Sequence, residues 1–130
     1  MEALASAASI IAVVQISGKI LTLCHGYISS VRDAKADIEW LMCEVNILKE
    51  LFESVRTAEN SIPVDLLNKT IEELEGLQSQ LEPKKRHRWK ERLGVQALKW
   101  PFKTTEVAGT IGRLERHKTA IANFLLLGLR

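Results

Sequence analysis

Hydrophobic positions fall into four long stretches with helical spacing, separated by proline, glycine or polar breaks. The first covers about residues 3–28. Leu4, Ala7, Ala8, Ile11, Val14 and Gly18 follow a spacing of three to four, and Ile10, Val13, Ser17 and Leu21 make a second apolar stripe. A helix apolar on most sides is buried on most sides or destined for lipid. The β-branched run Ile10–Ile16 also suits a buried strand, but its alanine-rich flanks and the length of the segment favour helix. A second helix is expected over 33–59, with Asp33 as N-cap and Ile38, Leu41, Val45, Leu48, Phe52 and Val55 on one face. Asp37, Glu44 and Glu53 fall mostly elsewhere. Asn60-Ser61-Ile62-Pro63 breaks the pattern, and Pro63 suits the opening turn of a third helix over 64–81. Leu67, Thr70, Ile71, Leu74, Leu77 and Leu81 form its core stripe, with Glu72, Glu73 and Glu75 on its wet side. A fourth helix over 104–128 takes Thr104 or Thr105 as cap and Glu106 against its N-terminal dipole. Its inner stripe is Val107, Ile111, Leu114, Ile121 and Leu125.

Residues 84–102 are the least regular part. Trp89, Leu93 and Ala97 have the spacing of a short amphipathic helix, and Trp100-Pro101-Phe102 forces an extended step. No segment alternates with period two, and no repeat is visible. The expected fold class is all-α: an antiparallel four-helix bundle in one domain, with room for a short extra helix between the third and fourth.

Charge changes this picture in two places. Residues 1–83 carry 6 Lys/Arg against 13 Asp/Glu, whereas residues 84–130 carry 12 against 3. The switch falls on Lys84-Lys85-Arg86-His87-Arg88-Trp89-Lys90-Glu91-Arg92. Residues 3–18 carry no charge at all. Three readings of the basic block stand side by side. It is a solvated linker folding back on the acidic helices, a contact for anionic lipid through Lys84, Lys85, Arg86, Arg88, Lys90 and Arg92, or a phosphate-binding patch for nucleic acid. Scarce aromatic platforms disfavour the last. The first helix has two readings, bundle core or membrane segment, because its uncharged run of 16 residues is shorter than the roughly 20 that a bilayer core requires.

Candidate chemistry adds little. Cys24 and Cys43 make no disulfide framework and read as small buried hydrophobes in a reducing cytoplasmic or nuclear setting. Glu2 stands where a secretory signal wants positive charge. There is no phosphate loop, nucleophile elbow or His-Glu-x-x-His, and no Cys/His pair has zinc spacing. Adjacent Glu72 and Glu73 diverge on a helix. The sequence points to no enzyme, no metal and no cofactor.

Two stretches carry a family resemblance. Met1-Glu2-Ala3-Leu4, followed by Ala8-Ser9-Ile10-Ile11-Ala12-Val13-Val14-Gln15 and Ser17-Gly18-Lys19, resembles the opening of fungal HeLo-like domains. So does Leu98-Lys99-Trp100-Pro101-Phe102-Lys103, with Glu106-Val107 and then Leu114-Glu115-Arg116-His117-Lys118. These are N-terminal domains of fungal NLR-like (STAND) receptors, often followed by a NACHT ATPase and repeats. They are similar in architecture to the HeLo domain of fungal heterokaryon incompatibility and to the four-helix executioner of necroptosis. The resemblance implies a cytoplasmic cell-death effector that self-associates when its receptor activates it and then permeabilises the plasma membrane. Leu4, Ile10, Ile11, Val13, Val14 and Ile16 would belong to the inserting helix, buried among the other three at rest. Trp100, Pro101 and Phe102 would serve packing. The chain then stands as an excised domain or truncated family member, and an adaptor without membrane activity is the alternative.

The basic block yields a direct test. Replacing Lys84, Lys85, Arg86 and Arg88 by Gln is expected to weaken sedimentation with anionic vesicles, most visibly at low salt, and to leave the weak binding to neutral vesicles unchanged. A drop in melting temperature with vesicle binding intact would instead make the block a linker paired with the acidic helices.

Overall fold

A computed structural model describes residues 2–30, 34–57, 62–82 and 100–128, with side chains at 8–29, 34–55, 62–82, 100–124 and 126. Four helices account for nearly all of them: α1 (Glu2–Ser30), α2 (Lys35–Thr57), α3 (Val64–Leu81) and α4 (Thr104–Gly128). The protein is an all-α four-helix bundle. The expected N-cap Asp33, the basic block and the proposed extra helix near 86–98 lie outside the described residues.

Each helix buries a narrow stripe spaced alternately three and four residues apart. In α1 it is Ile10, Val13, Ser17, Ile20, Cys24 and Tyr27. In α2 it is Ile38, Leu41, Val45, Leu48, Phe52 and Val55, the face read from the sequence. In α3 it is Leu67, Thr70, Leu74, Leu77 and Leu81, with Ile71 half-buried beside it. Such a repeat keeps one seam facing the neighbouring helices over the full length of a bundle. In α4 the seam runs through Val107, Thr110, Ile111 and Leu114, passes the half-buried His117 and Lys118, and resumes at Ile121. The Leu125 side chain lies outside the described residues.

Side-chain bonds fix the helix directions. Tyr27 Oη donates to the Leu81 carbonyl at 2.6 Å, so the C-termini of α1 and α3 share a pole. Thr104 Oγ1 donates to Asp37 Oδ2 at 2.8 Å, which places the N-termini of α4 and α2 together. His117 meets Thr70 while Arg113 meets Glu73, so α3 and α4 run antiparallel. Successive helices therefore alternate in direction. Around the ring, α1 packs on α2 and α3, and α4 packs on the same two. Among the described residues the Cα atoms of α1 and α4 do not come within 8 Å of each other, nor do those of α2 and α3. The step from α2 to α3 thus crosses the bundle diagonally.

Three expectations need correction. Cys24 is buried but Cys43 is exposed, because position 43 lies off the α2 seam. Glu44 is buried, with Lys118 Nζ 3.2 Å from its Oε1, because α4 packs across that side of α2. Neither Thr104 nor Thr105 caps α4. Lys103 holds that place: its N–H donates to Glu106 Oε1 at 2.9 Å, and its carbonyl accepts from the N–H groups of Glu106 and Val107 at 3.0 Å. This is the reach-back half of a capping box, and it leaves the Thr104 hydroxyl for Asp37.

Leu74 is fully buried in the α3 seam. Leu74→Ala is expected to destabilise the fold by about 2–5 kcal/mol, a large share of a small domain's stability. Thermal or urea unfolding followed by circular dichroism measures it. A loss under ~1 kcal/mol would mean that the seam is not the core.

Candidate functional site

Two parts of the molecule depart from what a bundle requires. One is the outer surface of α1, and the other is a polar layer under α4.

The seam of α1 uses one side of a helix that is apolar on several. Of the sequence-marked insertion residues, Ile10 and Val13 are buried, Val14 and Ile16 are half-buried and Ile11 is 38% exposed. Leu4 lies in α1, but its side chain is outside the described residues. The stripe through Ala8, Ile11, Val14 and Gly18 therefore faces outward or flanks the seam, and the stripe through Ile10, Val13 and Ser17 faces in. It continues through Ile20, one position before the expected Leu21. The expectation that α1 lies buried among the other three helices is thus corrected: it packs on α2 and α3, α4 stands on the far side of the bundle, and a third side of α1 stays open. Ala8–Ser29 is long and apolar enough to cross a membrane, and outside the seam its Val14, Ile16, Leu21, Leu23 and Ile28 are half-buried against the core. Its 22 residues rise about 33 Å, against a hydrocarbon core near 30 Å.

That open side is polar. Gln15, Lys19, Thr22, His25 and Ser29 are exposed along it. A groove of about 830 Å³ runs beside it, with Gly18 and Lys19 on the α1 wall and Gln78 and Glu82 on the α3 wall. A Cβ at Gly18 would meet nothing within 4 Å, so this face is uncovered. Thr22 Oγ1 donates to the Gly18 carbonyl at 3.0 Å and Ser29 Oγ to the His25 carbonyl at 3.2 Å, so both hydroxyls are satisfied within the helix. Lys19 falls at the centre of the apolar stretch. A lysine there adds about 2.5–3.5 kcal/mol to the insertion of a helix into lipid. Ser17 Oγ, inside the seam, is buried without a hydrogen-bond partner.

The two ends of the bundle differ. Ile11, Val64, Phe124 and Leu126 are exposed large hydrophobics, and the helix directions place them toward the pole where α1 begins. At the other pole, Trp100 meets Tyr27 edge-on at 5.2 Å and Phe102 at 5.3 Å. Trp100 and Phe102 pack against the core, and Pro101 is exposed. The Tyr27 hydroxyl satisfies one of the orphan carbonyls that end α3. Glu82 and Trp100, which flank the segment carrying the basic block, both lie at this pole. Lys84, Lys85, Arg86, Arg88, Lys90 and Arg92 themselves are outside the described residues.

The polar layer interrupts the α4 seam. Thr70 Oγ1 donates to the Leu66 carbonyl at 2.9 Å, so its oxygen accepts from Nδ1–H of His117 at 3.1 Å. Glu73, expected on the wet side of α3, is half-buried and paired with Arg113, whose Nη2 donates to Thr110 Oγ1 at 3.1 Å. The sequence reading missed this layer, although the gap between Leu114 and Ile121 in the apolar stripe was its signal. Among the described residues, His, Cys, Asp and Glu form no group of three suited to a metal ion.

No family model matches the chain, and no curated protein or solved structure matches it.

Burial lowers the His117 pKa below its ordinary 6.5; Glu73 opposes this and Lys69 reinforces it. The unfolded chain therefore takes up the proton first as pH falls. Stability is complete above pH 6.5 and declines as pH drops through that value toward the folded pKa. The melting temperature is expected to fall between pH 7 and 5, with a shallower fall in His117→Gln. Parallel melting curves for parent and variant would remove His117 as the cause.

Proposed function

We propose that this chain is a non-enzymatic effector domain of the HeLo-like kind, which self-associates on activation and permeabilises anionic membrane through α1. The observation that carries this reading is the 22-residue stretch Ala8–Ser29 of α1, which among the described helices is the one long and apolar enough to cross a membrane. Two further features support the reading. The orphan Ser17 hydroxyl weakens the grip of the seam at its middle. The exposed Ile11, Val64, Phe124 and Leu126 give the pole where α1 begins an apolar surface suited to a first contact with lipid.

The resting protein is placed in the cytoplasm and the active one at the plasma membrane, under a NACHT/STAND module that drives assembly. The residues flanking the basic segment sit beside the C-terminal end of α1, the end at which a released helix would pivot. Basic side chains there would hold the pivot at anionic headgroups while the N-terminal end of α1 enters the membrane. The biological setting is regulated cell death in fungal immunity or incompatibility.

Deletion of residues 1–9 separates this reading from an adaptor. Among the described residues the buried seam starts at Ile10, so the shortened protein keeps its described core contacts and is expected to melt close to the parent. Fused to an inducible oligomeriser, it is expected to assemble but to release no dye from anionic liposomes, where the parent does. Equal release by parent and deletion would make α1 a core element only, and the adaptor reading would stand.

A further inference from the structure

We infer that the exposed stripe Gln15–Lys19–Thr22 of α1 lines a water-filled pathway between copies of the chain, and that Lys19 makes that pathway selective for anions. The inference rests on the membrane reading above and names what passes through the assembly.

Three observations lead to it. The described apolar flanks and seam of α1 surround a single polar stripe, so the helix has one side for water and the rest for lipid or protein. Lys19 stands at the centre of Ala8–Ser29, too deep for its ammonium to be placed in headgroups without strain on the chain. It is exposed in the resting bundle, and among the described residues its ammonium is in no ion pair. The hydroxyls of Thr22 and Ser29 bond back to their own helix and keep a lone pair for lumen water. One copy cannot shield Lys19 from hydrocarbon. Several copies with this stripe turned inward can, because the side chains then share one aqueous lumen. A ring of lysines in a lumen attracts anions and repels cations. Helix insertion with the stripe facing outward is disfavoured by the same charge, so Lys19 also sets which way α1 faces in the assembly.

The test is electrical. The full chain, fused to an inducible oligomeriser, is added to planar bilayers of fixed composition under a potassium chloride gradient. The expected reversal potential lies on the chloride side for the parent, near zero for Lys19→Gln and on the potassium side for Lys19→Glu. Lys35→Glu, an exposed change at the start of α2, is expected to leave the selectivity of the parent. Circular dichroism confirms that each variant is folded. Conductance whose selectivity ignores Lys19 would overturn the inference and leave membrane permeabilisation standing. No conductance from any assembled form would overturn both.

Discussion

The fold depends on one constraint: each helix has to bury a stripe that repeats every three to four residues against two neighbours and no others. In α2 and α3 that stripe is almost wholly apolar, with Met42, Leu51, Leu66 and Ile71 half-buried beside it. Trp40 and Ile47 are exposed and share one outer face of α2 with Cys43. Burying a leucine or isoleucine contributes about 1.5–3 kcal/mol, so α2 and α3 supply the greater part of the hydrophobic stabilisation. The ring arrangement follows from this. The two helices with the cleanest seams stand diagonally, and each holds both α1 and α4.

The partners on the other diagonal are imperfect in different ways. α4 gives up two seam positions to His117 and Lys118. Each finds a partner on α3 or α2, since a buried polar group without one is costly. This ties α4 in one register, because a shift of one residue would separate Lys118 from Glu44 and His117 from Thr70. The other imperfection belongs to α1. Its seam is narrow and contains Ser17 and Cys24 where larger side chains would fill more space. Val14, Ile16, Leu21, Leu23 and Ile28 flank the seam and are only half-buried against the core.

How legible this was in the sequence depended on how sharply each helix divides its faces. α2 and α3 were readable because charge marks their outer sides. In α1 no charge occurs from residue 3 to 18, so periodicity had nothing to oppose and two stripes competed. The stripe with more alanine and glycine was as plausible on spacing as the one that packs. Tyr27 decides the matter only in three dimensions, where its hydroxyl reaches Leu81 and its ring reaches Trp100. That contact also gives the Trp100-Pro101-Phe102 step a physical role. Pro101 turns the chain so that both aromatic rings cover the pole where α1 and α3 end. The α4 polar layer was hidden for a different reason. A Glu or Lys reads as solvent-facing until its partner arrives from a helix tens of residues away.

The same features bear on how α1 would be kept in place and let go. Lifting its seam into water exposes Ile10, Val13, Ile20 and Tyr27, at about 1.5–3 kcal/mol each, so a single copy in water holds α1 down firmly. Transfer to lipid removes most of that cost, but the same step would carry Lys19 into hydrocarbon. Under the proposed membrane reading the two effects would oppose each other in one copy, and the charge on Lys19 would favour the bundle. In the proposed assembly the penalty for Lys19 would fall, because neighbouring copies would keep the stripe wet, whereas the gain from the apolar flanks would remain. Coupling of release to self-association would then need no separate lock. It would arise from one charged residue placed at the middle of an otherwise apolar helix.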